Sequence, residues 1–260
     1  MTIDASSSDE EILDVLHRTA DAVAGVLQAN TDWSLSGQRA TQYSVDLAAD
    51  AAALAVLHGA GCAVLSEESQ ITGEWKPGGL MVVMDPLDGS TNASKRVPWY
   101  ATALCAIDGE GMRASLVVNQ ASGRDRYWAS RGGGAFHNGI RLQVTQRNTL
   151  RDSVVGISGL PSFRPAWGQF RALGAAALDI CLVATGALDG WIDFNSHGVW
   201  DYLASALICQ EAGVHIAEFS GRDILTTEYH EKRTLLVAST ETLLSSLVEV
   251  RAKHAANKAV

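Results

Sequence analysis

Apolar residues recur at spacings of three and four between residues 9 and 28, at Leu13, Leu16, Ala20, Val23 and Leu27, which predicts an amphipathic helix. Ser8 and Glu11 stand three apart at its start, the spacing of a capping box. An Ala-rich stretch over 44 to 58, stopped by Gly59 and Gly61, predicts a second helix. Ala63 to Leu65 reads as a short strand. The unbroken apolar run Leu80 to Val83 predicts a strand covered on both faces, because a strand with one wet face would alternate. Ala101 to Ile107 and Met112 to Val118 flank "DGEG", a hairpin signal, and Tyr127 to Ala129 and Leu142 to Val144 flank the glycine-rich "RGGGAFHNG". Its three glycines, 132 to 134, are read as a hairpin turn, since neither common phosphate-loop spacing is present.

Beyond residue 148 the pattern changes to alternation of short apolar runs with helical segments. Val154 to Ile157, Trp191 to Phe194, Val214 to Phe219 and Leu235 to Ala238 read as strands, with helices over 174 to 185, 201 to 211 and 240 to 254. The expectation is an α+β half over residues 1 to 147 joined closely to an α/β half over 148 to 260, with the final "NKAV" frayed.

With 260 residues, 47% of them hydrophobic, the chain can bury a large core. Twenty basic against twenty-nine acidic residues give a formal charge of -9, which disfavours a nucleic-acid or anionic-membrane surface. Four scattered cysteines without CxxC spacing read as reduced core thiols. The first residues carry no basic-then-apolar pattern and no stretch approaches ~18 apolar residues, so a cytoplasmic chain is expected.

The chemistry gathers at the ends of predicted strands. "MDPLDGSTN" at 84 to 92 places Asp85 and Asp88 directly behind a buried strand, with no basic residue before Lys95 and Arg96. Buried carboxylates without partners are costly, and a metal ion is the neutralising partner such a segment most readily admits. Glu67 and Glu68 in "SEES" follow another strand, and Asp201 precedes a helix for which it could serve as N-cap. Hard oxygen ligands on rigid element ends suit magnesium. The EF-hand pattern fails at Leu87 and Arg96, and the seven histidines show no HExxH spacing. His197 is read as a local hydrogen-bonding residue.

Taken together, "SEES", "MDPLDGSTN" and "VWDYLASALICQEAG" at 199 to 213, in this order and at these intervals, resemble the inositol monophosphatase family of metal-dependent sugar phosphatases. The resemblance extends through "GAFHNG" and "RALGAAALDICLVATGALDG". It implies a layered α-β-α-β-α sandwich of the inositol monophosphatase and fructose bisphosphatase type, and a homodimer. By the same resemblance Glu67, Asp85 and the carbonyl of Leu87 hold one magnesium, Asp85, Asp88 and Asp201 a second, and Glu67 helps with a weaker third. Asp46 and Ser90 activate the attacking water, and the backbone near Gly89, Ser90 and Thr91 meets phosphate. Glu68 is given a supporting or surface role.

Three positions depart from the family pattern: Ser90 stands for a commoner threonine, Ala175 after Gly174 for a serine or threonine, and Asp193 for a substrate-contacting glutamate, in a segment slightly longer than usual. Gly174, Ala175 and Asp193 are accordingly expected around the substrate alcohol. The implied activity is magnesium-dependent, lithium-sensitive hydrolysis of a small phosphorylated alcohol, inositol monophosphate first. Histidinol phosphate, fructose bisphosphate, a nucleotide 3'-phosphate, or a non-catalytic phospholigand-binding role remain alternatives. The DxDx[TV] pattern of aspartyl-phosphate enzymes is absent, because Asp85 and Asp88 are three apart.

Overall fold

A computed structural model describes residues 1–39, 41–122, 125–144 and 146–258. The first helix, α1 (Asp9–Ala29), opens with the expected reciprocal cap: Ser8 Oγ accepts from the Glu11 amide, and the Glu11 carboxylate accepts from the Ser8 amide. It buries Ile12, Val15, Leu16, Ala20 and Val23. The second helix, α2 (Ser44–Gly59), turns inward not only Ala49, Ala53 and Leu57 but also two acids one turn apart, Asp46 and Asp50.

Both helices cover one face of an eight-stranded sheet built from β1 (Ala63–Ser66), β2 (Gln70–Thr72), β3 (Met81–Asp88), β4 (Ala101–Asp108), β5 (Gly111–Asn119), β6 (Arg126–Ser130), β7 (Gly134–His137) and β8 (Ile140–Arg141). The spatial order is β2-β1-β3-β4-β5-β6-β7-β8. All its pairings are antiparallel except β1 with β3, where Ser66 lies opposite Met84. A short helix, α3 (Ser90–Ser94), leaves the end of β3. The strand expected over Leu142 to Val144 is absent; the glycine-rich stretch itself pairs, as Gly134–His137 and Ile140–Arg141 about a turn at 138 and 139, and the turn expected at Gly132 to Gly134 falls at 131 to 133, between β6 and β7.

The second sheet holds β9 (Val154–Ser158), β10 (Gln169–Arg171), β11 (Gly190–Asp193), β12 (His215–Glu218) and β13 (Leu235–Ala238), ordered β10-β9-β11-β13-β12. Here β9 and β11 run parallel, with Asp193 opposite Ser158. The remaining helices are α4 (Ala176–Ala184), α5 (Leu203–Ala212) and α6 (Glu241–Lys258). Asn257 and Lys258 continue α6 rather than fraying, and Ala259 and Val260 lie outside the described residues.

The run Met81 to Met84 is continuous because each face has its own cover. Val82 and Met84 join α1 and α2 in one core, while Met81 and Val83 join α4 and α5 in another. Those two helices are buried nearly all round, since their far side packs on Trp191, Leu235 and Val237 of the second sheet. Val155, Ile192 and Leu236 face the other way, onto Leu243 and Leu247 of α6. The layers are therefore α1 and α2, first sheet, α4 and α5, second sheet, α6, which is the expected α-β-α-β-α sandwich. Among the described residues no helix is long and apolar enough to cross a membrane.

Candidate metal centre and active site

The parallel pairs β1/β3 and β9/β11 send their carboxyl ends toward one cavity, the common place for ligands in sheets of this kind. It has a volume of about 590 Å³, and its walls include Asp46, Glu67, Glu68, Asp85, Leu87, Asp88, Gly89, Ser90, Thr91, Gly174 and Asp201. The acids of "MDPLDG" sit on β3 itself rather than after it. β3 pairs with β4 through Asp85 and again at Asp88, with an irregularity between them at Pro86 and Leu87. Proline cannot donate to the ladder, and the Pro86 carbonyl instead accepts from Thr102 Oγ1 at 2.9 Å. The Leu87 side chain anchors the bend against Val45 and Ala93. Gly89 then turns the chain at φ 82°, where a Cβ would stand 3.1 Å from both Ala175 Cβ and the Gly174 carbonyl.

Three of the acids are held by one oxygen each. Asp85 Oδ1 accepts from the Leu87 amide at 2.9 Å, Asp88 Oδ2 from the Ala177 amide at 2.8 Å, and Asp201 Oδ2 from the Gly198 amide at 2.9 Å. Asp201 ends a 3-10 turn, Val199–Asp201, and caps that turn; the N-cap of α5 is Tyr202. Oxygens of Glu67, Asp85 and Asp201 all come within 4.8 Å of one another. Among the described residues Glu67, Asp85, Asp88 and Asp201 enter no ion pair. Burial, and then mutual repulsion, raises the pKa of Glu67, Asp85 and Asp88, and burial raises that of Asp201 although His197 and Lys232 oppose it. Clustered, buried, oxygen-only donors of this kind fit a hard divalent cation, whose charge would reverse those shifts.

Asp46 caps α2 from within: its Oδ2 accepts from the Tyr43 amide at 2.7 Å, while its buried Oδ1 has no partner among the described residues. Burial pushes its pKa up to about 7 against the Tyr43 hydrogen bond, with the Glu68 charge adding to the rise. Glu68 lines the cavity and is not a surface residue: its side chain is 6% exposed and is bound by Arg39 and Gln42. Arg39 also donates to the Glu67 carbonyl, as does Tyr229, at 3.0 and 2.7 Å. Pattern reading missed this clamp, because nothing in the composition of residues 30 to 43 marks Arg39. It missed Asp50 too, which accepts from Ser66 Oγ while that hydroxyl receives the Glu68 amide at 3.2 Å. The signal was available: Asp50 is one helical turn from Asp46 on the same face.

Of the residues expected around the alcohol, Ala175 stays at the edge of the site and Asp193 does not. Ala175 is buried beside an adjoining cavity of about 220 Å³, lined also by Asp88, Ser158, Gly174, Asp179 and His197. Asp193 lines neither cavity. It is fully buried, its Oδ1 accepting from the amides of Asn195 and Ser196 and its Oδ2 meeting His197 Nδ1 at 2.8 Å. The turn that places it so passes through Ser196 at φ 77°, which folds residues 195 to 197 back over the Asp193 carboxylate. His197 thus has the local hydrogen-bonding role expected of it. Burial opposes its charge, but the Asp193 hydrogen bond and the nearby Asp201 outweigh burial and raise its pKa to about 9.

Residues 9–256 match the model of the inositol monophosphatase family. A fructose-1,6-bisphosphatase/inositol-1-monophosphatase of Archaeoglobus fulgidus is 30% identical over 80% of this chain and 82% of its own. The Nus factor SuhB of Pseudomonas aeruginosa is 33% identical over 80% of this chain and 81% of its own. Among solved structures, the Thermotoga maritima IMPase superposes with a TM-score of 0.81 at 20% identity, covering 95% of this chain and 99% of that one. Sequence match, layer order and the converging acids agree, and the chain belongs to the inositol monophosphatase family.

Proposed function

We propose that this protein is a magnesium-dependent phosphatase that hydrolyses a small phosphorylated alcohol, inositol monophosphate first among the candidates, by direct attack of water. The observation that carries the reading is the convergence of Glu67, Asp85 and Asp201 oxygens in one cavity with the unpartnered Asp46 Oδ1. In this reading Glu67, Asp85 and the Leu87 carbonyl hold one ion, Asp85, Asp88 and Asp201 a second, and Glu67 supports a third. Bound magnesium supplies neutralisation of phosphate charge and a lowered pKa for water. Asp46 Oδ1 and the Ser90 hydroxyl orient the attacking water, and Asp46 takes its proton. Gly89, Ser90 and Thr91 present backbone amides to the phosphate. Residues 1–147 and 148–260 act as two subdomains that each contribute acids, and assembly is as a homodimer, which light scattering tests. The four buried free thiols fit cytoplasmic residence.

Relatives named for both inositol and fructose phosphates leave the alcohol to experiment. Phosphate release with magnesium should be compared for inositol monophosphate, histidinol phosphate, fructose bisphosphate, glycerol phosphate and adenosine 3',5'-bisphosphate. The reading expects turnover of at least one, with inositol monophosphate giving the highest kcat/KM. Release from none of them, in folded protein at saturating magnesium, would contradict the phosphatase assignment.

A further inference from the structure

The turn that follows β11 spends an unusual amount of structure on one imidazole. Asp193 offers its carboxylate to three donors inside four residues, two amides and His197 Nδ1, and has no exposed surface left for a ligand. Ser196 between them is held in the left-handed region at φ 77°, uncommon for a residue with a side chain and a mark of a turn built for a purpose. The His197 backbone is pinned from the other side by paired hydrogen bonds with Arg233 at 2.8 and 2.9 Å, and its ring lies against Trp191. The ring is therefore fixed in position, with Nδ1 committed to Asp193.

What this leaves available is Nε2. Its one partner among the described residues is Ser158 Oγ, at 3.3 Å, a long contact to a hydroxyl that rotates freely to other partners. The His197 side chain is 19% exposed, and together with Asp88 and Gly174 it lines both the acid-lined cavity and the smaller one beside it. The smaller cavity is otherwise walled largely by Ile157, Gly159, Ala172, Ala175 and Ala176, which provide shape but no side-chain hydrogen bonds. Asp179, the second acid on its wall beside Asp88, already accepts from Trp99 Nε1 at 2.7 Å.

We propose that His197 is the specificity-determining contact of the site: its Nε2, aimed by Asp193, hydrogen-bonds a hydroxyl on the skeleton of the leaving alcohol, so that phosphates of polyols are selected over phosphates of alcohols without such hydroxyls. Asp193 is the positioning residue and does not touch substrate. The proposal rests on the phosphatase reading above and adds to it the class of alcohol and the group that reads it. Selectivity of this kind follows from a buried polar group left unpaired by the wrong ligand.

Inositol 1-phosphate and cyclohexyl phosphate share a six-carbon ring and differ in its hydroxyls, so phosphate release from the two with magnesium isolates the contact. Wild type should favour the inositol ester in kcat/KM. His197→Ala and His197→Asn, which cannot place a hydrogen-bonding atom at the Nε2 position, should each reduce that preference by about 10- to 100-fold. His197→Gln, longer and carrying an N–H, should restore part of it, a rescue that a purely structural role does not give. Thermal midpoints establish which variants fold, and any one that does decides the question. An unchanged preference in a folded His197→Ala or His197→Asn overturns the inference and leaves the phosphatase reading standing. A wild type that hydrolyses neither ester overturns the inference, and one that also releases phosphate from none of the other candidates above overturns the phosphatase reading with it.

Discussion

Two parallel strand pairs end at the same cavity and end differently. At β1 and β3 the chain leaves carboxylates that are close together and incompletely bonded, each of the two aspartates held by a single amide. At β9 and β11 it leaves an acid whose oxygens are all engaged, and presents an imidazole in its place. The first arrangement is electrostatically incomplete and needs a cation; the second is complete and can only recognise. Residue type does not separate the two, because both are aspartates at buried strand ends. The hydrogen-bond partners of each oxygen do.

The comparison is most exposed to test at Asp88. Asp88→Asn should lower kcat by roughly 10³-fold or more, since it weakens a ligand to an ion that contributes several kcal/mol to the transition state. Above about pH 8, where Asp88 is charged, the same substitution should raise the thermal midpoint of metal-free protein, because it removes one of several repelling charges. Asp193→Asn should do the reverse and lower the midpoint, as it disturbs a satisfied network. Calorimetry in chelator reads both, and a shift of the same sign in the two variants would break the distinction.

A smaller effect is expected from the pair that handles water. Asp46→Asn and Ser90→Ala should each cost roughly 10²- to 10⁴-fold in kcat, the range for positioned acid–base groups. If they act as a unit, the double variant loses little more than the worse single one. Fully additive losses would place one of them outside the water site.

The least effect, and the one that joins chemistry to stability, concerns pH. Asp46 sits at about 7 in the fold, and Glu67, Asp85 and Asp88 are raised as well. A carboxyl whose folded pKa lies above its unfolded value supports the fold fully at pH below the ordinary carboxylate range, and that support is lost as pH rises through the folded value. Metal-free protein should therefore lose stability between about pH 4 and about pH 8. Magnesium competes with protons for the same oxygens, so its stabilisation, ~2.7 kcal/mol at a hundredfold excess over Kd, should be larger at about pH 8 than at about pH 6. Equal midpoint shifts at both pH values would argue that the ion binds elsewhere.

The acid end was legible in the sequence because its signal is local. A run of apolar residues followed by Asp85 and Asp88 states both the burial and the charge, and the doubly covered strand at Met81 to Met84 follows from the absence of alternation. The layer order was implied by the family resemblance of the motifs, and α4 and α5, buried nearly all round, occupy its centre. The imidazole end was not legible, for a physical reason: whether Asp193 faces the cavity or hides behind His197 depends on a left-handed turn at Ser196, and a serine gives no sign of positive φ. Short edge strands such as Gln70–Thr72 and Gln169–Arg171, mostly exposed, carry no burial pattern to read. Arg39 reaches Glu67 and Glu68 from 28 and 29 residues away, a contact that only the tertiary fold creates.

The central claim is that the bare carboxylates of β1 and β3, with Asp201, form a divalent cation site. Anomalous diffraction from crystals soaked in manganese, a scatterer that takes magnesium's place at oxygen ligands, tests it most directly. The account predicts at least one strong peak in direct contact with oxygens of Glu67, Asp85 and Asp201, absent from crystals of a protein carrying Asp85→Asn and Asp201→Asn. No peak among these oxygens at millimolar manganese, or a peak that persists in the double variant, would contradict it.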